Sequence, residues 1–185
     1  MPQALHYFVL CGKVGATRER NNDNVNDPEV DPFFNKDFEC MDASESNNID
    51  VLCIPVNHLC HWTLYAYDMK NDKLSILDSK ENYSRHEGIP YKIGKALERV
   101  QKDYGLFKNK SNFSLWPHVF PRVPQQGYGT NDCGFFVFKF MCHWNGHKLT
   151  GLISRETMDL RNEFLAYIHS FNINEAETQE RTRDR

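Results

Sequence analysis

Pro124-Gln125-Gln126-Gly127-Tyr128-Gly129-Thr130-Asn131-Asp132-Cys133-Gly134-Phe135-Phe136-Val137-Phe138-Lys139-Phe140-Met141-Cys142-His143-Trp144 joins two kinds of chemistry in one run. The first half is turn material. Gly127 and Gly129 tolerate positive φ, and Thr130, Asn131 and Asp132 favour turns and helix starts. The second half is almost unbroken apolar sequence, enough for a buried helix of about three turns. Cys133 sits at the seam. A thiol in the first turn of a helix meets the positive end of the helix dipole, which favours thiolate. This is a rigid mount for a nucleophile. The competing reading makes Cys133 a small buried hydrophobe where the helix begins.

Working outward, the 185 residues suit one domain with one core. A formal charge of −3 gives no general reason to expect nucleic-acid binding. No apolar run approaches the ~18 residues needed to span a membrane. The N-terminus lacks a basic flank, apolar core and small-residue cleavage site, which argues against a secretory signal. Six cysteines, at 11, 40, 53, 60, 133 and 142, are then expected as reduced thiols. That points to the nucleus or cytoplasm.

Upstream, Tyr7–Cys11 is a short apolar run that suits a strand or a helix fragment. Residues 13–31 are loop-like, Phe33, Phe34 and Phe38 are candidates to pack on the body, and residues 42–48 are again loop-like. Val51–Val56 reads as a buried strand, with Pro55 placing it near an edge or a strand end. Residues 60–68 alternate, with Trp62, Leu64 and Ala66 on one face and His61, Thr63, Tyr65 and Tyr67 on the other. Leu74–Leu77 is a second short strand, ending at Asp78-Ser79. The two make an antiparallel hairpin. A two- or four-residue loop centred between Lys70 and Asn71 pairs Thr63 with Asp78 and leaves His61 diagonal to Asp78 on one face. A three- or five-residue loop centred on Lys70 pairs Tyr67 with Lys73 and sends His61 to the opposite face. The sequence leaves both registers open.

Residues 81–90 read as polar loop. Residues 91–104 predict a helix, with Ile93, Ala96, Leu97, Val100 and Tyr104 inward and Gly105 as C-cap. Residues 112–123, broken by Pro117 and Pro121, predict short extended pieces. Ser154 is a candidate cap for a last helix to about His169, with Met158, Phe164, Leu165 and Ile168 inward. Residues 172–185 read as a charged tail. The expected divisions are 1–50, an N-terminal segment of the same domain, 51–171, the core, and 172–185, the tail.

A thiol hydrolase needs a nucleophile of lowered pKa, an imidazole, a group that fixes the imidazole, and donors for the oxyanion. Candidates occur in the order His61, Asp78, Gln125 or Gln126, Cys133. The rival chemistry is zinc. Cys53, His58, Cys60 and His61 form one cluster, and Cys133, Cys142, His143 and His147 another. Neither has the spacing of a structural zinc site, so no metal is expected. His86, His118 and His169 read as surface or boundary residues.

His61-Trp62-Thr63-Leu64, Leu77-Asp78-Ser79, Pro124-Gln125-Gln126 and Asn131-Asp132-Cys133-Gly134 resemble the ubiquitin-like-protein-specific proteases. These are the SUMO or sentrin proteases of the adenoviral-proteinase clan of cysteine peptidases. The resemblance covers about residues 50–170, and the texture of the chain is similar to plant members, some of them associated with transposons. It implies an α+β, papain-like fold: a mixed or antiparallel sheet packed against helices, with the nucleophile at the N-terminus of a central helix. It implies cleavage after the C-terminal Gly-Gly of a SUMO-like modifier, in a precursor or in an isopeptide conjugate, by a monomer without cofactor. It implies Cys133 as nucleophile, His61 as base, Asp78 as its orienter and Gln126 as oxyanion donor, with Gln125 the alternative. Trp62 would roof a tunnel admitting two glycines; otherwise it is a core aromatic. Nuclear residence follows from the resemblance alone.

Two departures are visible. Gly127–Asp132 is one residue longer than the family spacing. The Trp-Leu-Asn-Asp-like motif expected near the start is not found in residues 1–50, which favours a second reading: a catalytically weak relic that binds a modifier or partner. A zinc-stabilised adaptor is the third.

Overall fold

The computed structural model describes residues 7–9, 12–13 and 48–169. The expectations for residues 14–47 and for the tail lie outside the described residues. Six strands form one mixed sheet: β1 (Tyr7–Val9), β2 (Gly12–Lys13), β3 (Val51–His58), β4 (His61–Asp68), β5 (Lys73–Leu77) and β6 (His118–Val119). The order is β1-β3-β4-β5-β6, and β2 also pairs with β3. The three long strands are antiparallel, whereas β1, β2 and β6 join in parallel. Among the described residues the helices are α1 (Ile89–Tyr104), α2 (Cys133–His143) and α3 (Thr157–His169).

The period-2 pattern sorts the sheet's side chains into two cores. On one face Leu52, Ile54, Tyr65, Tyr67, Leu74 and Ile76 meet Ile93, Leu97 and Val100 of α1 and the aromatics Phe107, Phe113 and Trp116. On the other, Val51, Cys53, Leu64, Ala66 and Leu77 meet Phe136, Val137, Phe140 and Trp144, with Leu160 of α3 behind. The sheet is therefore covered on both sides, and α2 is the helix against its second face.

The β4–β5 register pairs Leu64 with Leu77 and Asp68 with Lys73. One step further places Thr63 opposite Asp78, the four-residue-loop alternative. Asp68 closes that loop by accepting the N–H groups of Lys70 and Asn71 at 3.0 and 3.1 Å. Pro55, by contrast, is neither at an edge nor at a strand end. It lies mid-strand opposite Leu64, between Cys53, which pairs with β1, and Val56, which pairs with β2.

Helix α1 buries Ile93, Ala96, Leu97 and Val100 and ends on Gly105 at φ 67°, whose N–H reaches Gln101 O at 3.0 Å. Tyr104 points outward rather than into the core. In α3 the inward stripe is Leu160 and Phe164, the latter edge-on to Phe135 and Phe138. Met158, Leu165 and Ile168 are exposed. Ser154 accepts the Glu156 N–H at 3.1 Å, just ahead of the helix. Within residues 112–123, Phe113–Leu115 forms a 3-10 turn and His118–Val119 a short strand on β5.

Candidate active site

Cys133 is the first residue of α2, as its place between turn chemistry and apolar run implied. The start of the helix is held by Asp132, whose buried carboxylate accepts Thr157 Oγ1 at 2.6 Å and Arg161 Nη2 at 3.0 Å from α3. Burial would raise the Asp132 pKa, but those two donors outweigh it and hold it below the ordinary value. The thiol itself is only 6% exposed.

His61 opens β4 directly after a two-residue turn, Leu59-Cys60, with both residues at positive φ (50° and 58°). Its Nε2 meets Asp78 Oδ1 at 2.6 Å, and both side chains are buried. Asp78 lies just past the end of β5, where the hairpin register puts it on the His61 face. Burial would raise the Asp78 pKa, yet hydrogen bonds from His61, His86 and the Lys80 N–H drive it far below the usual carboxylate range. Asp78 is therefore an ionised acceptor, and Nε2 of His61 carries the proton.

The other ring nitrogen, Nδ1, forms no hydrogen bond of full geometry. The Cys133 side chain is nevertheless close enough to act on the ring. Burial lowers the His61 pKa, but Asp78 and then Cys133 raise it above the ordinary histidine value. Burial raises the Cys133 pKa, but His61, the Trp62 N–H and the Gly134 N–H bring it below the ordinary thiol value. The two groups thus favour thiolate and imidazolium in each other's presence.

Trp62 is half-buried on the opposite face of β4, against the first turn of α2; a Cβ at Gly134 would stand 3.7 Å from its Cδ1. The glutamines are engaged elsewhere. Gln126 donates from Nε2 to Thr130 O at 2.7 Å, and its Oε1 accepts Ser79 Oγ at 2.9 Å. Gln125 Nε2 donates to Asp78 O at 3.1 Å and Val123 O at 3.0 Å. With the Gln126 N–H on Ser79 O at 3.0 Å, these bonds strap the 123–130 loop to the end of β5. The structure brings His61, Asp78, Cys133 and Trp62 together and turns both amides into that strap.

His86 is not a surface residue: it is 3% exposed and places Nε2 2.9 Å from Asp78 Oδ2. The polar segment 81–90 gave no sign of this; the 3-10 turn over Tyr83–His86 folds it inward. His118 and His169 are exposed. The two suggested zinc clusters do not converge, and among the described residues no three His, Cys, Asp or Glu side chains could hold a metal. Among these residues, too, no helix is long and apolar enough to cross a membrane.

A thiol at a helix start, an imidazole on a hairpin and a carboxylate behind it define a thiol–imidazole–carboxylate site on an α+β scaffold. The chain belongs to the Ulp1 protease family: the model of that family's C-terminal catalytic domain matches residues 10–165. Among solved structures it is similar to the C-terminal Ulp1 protease domain in complex with Smt3, the yeast ortholog of SUMO. That match has 20% identity over 62% of this chain and 49% of that one, with a TM-score of 0.46. It is also similar to the Chaetomium thermophilum Ulp1-like SUMO protease catalytic domain, at 24% identity, 68% and 47% coverage and a TM-score of 0.46. A third is the Chlamydia abortus effector protein ChlaDUB, at 17% identity, 69% and 61% coverage and a TM-score of 0.41. The chain spans about half the length of the Ulp1 chains it matches. No curated protein matches it.

Proposed function

We propose that the protein is a cysteine peptidase cleaving after the C-terminal Gly-Gly of a SUMO-like modifier, in precursors or isopeptide conjugates. The observation that carries this reading is the 2.6 Å His61–Asp78 bond beside a helix-start cysteine, in a chain of the Ulp1 family. Cys133 Sγ attacks the glycine carbonyl. The imidazolium of His61 gives its Nδ1 proton to the departing lysine amine or peptide nitrogen, leaving a thioester. Neutral His61 then takes a proton from water as that water attacks, and the thiolate departs to restore the ion pair. Asp78 keeps the Nε2 proton in place and stabilises the imidazolium.

The oxyanion is met by N–H groups at the α2 start and by the Gln126 amide once it leaves Thr130. Trp62, over the first turn of α2, narrows the approach so that a Gly-Gly terminus passes and bulkier residues do not. The protein works as a monomer without a cofactor. Reduced thiols suit the nucleus or cytoplasm, with the nucleus favoured by the family.

A SUMO vinyl sulfone tests the reading. Covalent labelling of the wild-type chain, abolished by Cys133→Ala and by His61→Ala, is expected. Labelling that persists in Cys133→Ala, or none with any ubiquitin-like warhead, would count against it. The engagement of both glutamine amides away from the thiol favours a second reading, a modifier-binding module. It would bind the intact modifier without labelling.

A further inference from the structure

Asp78 has more partners than a simple orienter needs. Its Oδ1 accepts His61 Nε2–H at 2.6 Å and the Lys80 N–H at 2.8 Å. Its Oδ2 accepts from His86 Nε2 at 2.9 Å, and His86 Nδ1 lies 2.7 Å from Tyr65 Oη. The four side chains are buried: His61 1%, Tyr65 1%, His86 3% and Asp78 5% exposed.

The donor–acceptor inventory allows one consistent direction through the chain. An ionised carboxylate only accepts, so His86 must carry its proton on Nε2. Burial drives the Tyr65 pKa up, so the phenol keeps its hydrogen. With Tyr65 O–H donating to Nδ1 of His86, the His86 Nε2–H donates to Asp78, which in turn holds Nε2–H of His61. That leaves His61 Nδ1 facing Cys133. The His86 ring is gripped as well, edge-on to Tyr65 at 5.9 Å and tilted on Phe120 at 5.5 Å. Tyr65 is on β4, four residues from His61 on the same face, so one strand supports both ends of the chain.

We propose that His86 and Tyr65 are positioning residues for the hydrolytic pair: His86 holds Oδ2 of Asp78 and Tyr65 holds His86, which together fix the carboxylate and so the tautomer and angle at which His61 meets Cys133. This rests on the peptidase reading. Without His86, Oδ2 is left buried and unpaired, and the carboxylate is free to turn toward other donors. The thiolate–imidazolium pair then holds over a narrower pH range. The groups that set this range are His61 on β4, Asp78 after β5, His86 on the 3-10 turn, Tyr65 on β4, Cys133 on α2 and the Lys80 N–H.

The test compares the wild type with His86→Leu, His86→Gln and Tyr65→Phe. Iodoacetamide alkylation of Cys133 is followed across pH by mass spectrometry, and hydrolysis of a SUMO precursor is measured in parallel. Alkylation reads the pair without any modifier. For His86→Leu the alkylation midpoint should rise by about one pH unit and kcat fall about tenfold, the loss of one hydrogen bond to a charged group, with KM unchanged. His86→Gln, which returns a donor to Oδ2, should recover to within about threefold, and Tyr65→Phe should fall between the two. An unchanged midpoint in folded His86→Leu overturns the proposal while leaving the peptidase reading intact. So does a His86→Gln variant as impaired as His86→Leu. If His86→Leu does not fold, Tyr65→Phe decides, and a wild-type midpoint overturns the proposal. A wild-type midpoint at the ordinary thiol value removes both readings. Normal alkylation shifts with hydrolysis of another ubiquitin-like precursor but not of the SUMO precursor uphold the positioning and remove only the SUMO substrate.

Discussion

At the scale of single residues, the two glutamines separate position from chemistry. Both now hold the 123–130 loop, Gln126 through Thr130 and Ser79 and Gln125 through Asp78 O and Val123 O. If Gln126 swings to the oxyanion, Gln126→Ala should lower kcat about a hundredfold with KM unchanged, as loss of such a donor typically does. Gln125→Ala should cost less than about tenfold, because it only loosens the strap. Steady-state kinetics on a SUMO precursor checks this; equal losses at the two positions would show that Gln126 is only a strap. The sequence had made His61, Asp78 and Cys133 legible because each stands at a seam: a strand start, a strand end, a helix start. His86 was illegible because its burial comes from a tertiary fold-back of residues 81–88, which no local period encodes. The destination of the glutamine amides was hidden too, since it is set by the tertiary approach of the Asp78, Val123 and Thr130 carbonyls.

Secondary-structure elements carry two further tests. The turn before His61 places Leu59 and Cys60 at φ 50° and 58°, as in a type I′ hairpin turn. That turn favours Asn-Gly, and other residues in the left-handed region cost about 1 kcal/mol each. Leu59 is 62% exposed, so little packing is lost by replacing it. Leu59→Asn with Cys60→Gly should raise the unfolding free energy in urea by about 1–2 kcal/mol. An unchanged or lower value would mean that the leucine makes contacts that outweigh the backbone strain.

The opposite sign is expected at Gly94. A Cβ there would lie 2.3 Å from the Ser114 backbone, which is itself held by Glu98 through the Ser114 N–H at 3.0 Å and Oγ at 2.7 Å. Gly94→Ala gains about 1 kcal/mol of helix propensity but forces α1 off the 3-10 turn. The variant should lose about 2 kcal/mol net, within the range of overpacked cores. Equilibrium unfolding gives the sign directly. Periodicity exposed α1 because its apolar stripe is clean. In α3 apolar residues occur all round, so the stripe of Leu160 and Phe164 could not be told from Met158, Leu165 and Ile168. The hairpin register was open for a different reason: turn residues 69–72 fit loops of either parity, and only the bonds to Asp68 select one.

For the whole molecule, alternation along residues 60–68 made the sheet's two faces legible on its central strand, and the apolar run after Cys133 identified the helix on one of them. What ties those layers together is electrostatic, and it makes stability depend on pH. Asp78 joins β5 to the His61 and His86 segments, and Asp132 joins α2 to α3; both are buried with pKa values held low. A carboxyl with a depressed folded pKa stabilises above its unfolded value and loses that stabilisation as pH falls toward the folded value. Both should therefore weaken the fold below about pH 4. Glu98, also lowered, is partly exposed and adds less.

His61 acts in the other sense. Its raised pKa stabilises fully below about pH 6.5 and ceases to as pH climbs through the folded value. Cys133, lowered, contributes increasingly as pH rises toward the ordinary thiol range. The two oppose each other on the alkaline side, so the acid limb should dominate the profile. Each carboxylate can add up to about 1.4 kcal/mol per pH unit to that limb. Asp132→Asn keeps an acceptor oxygen for Arg161 and presents an amide N–H that the Thr157 hydroxyl can accept, but cannot titrate. Urea unfolding followed below about pH 4 should therefore give a slope shallower by up to one proton in the variant. A slope identical to the wild type would mean that Asp132 does not titrate differently in the folded and unfolded chain, and that α2 and α3 are joined by packing alone.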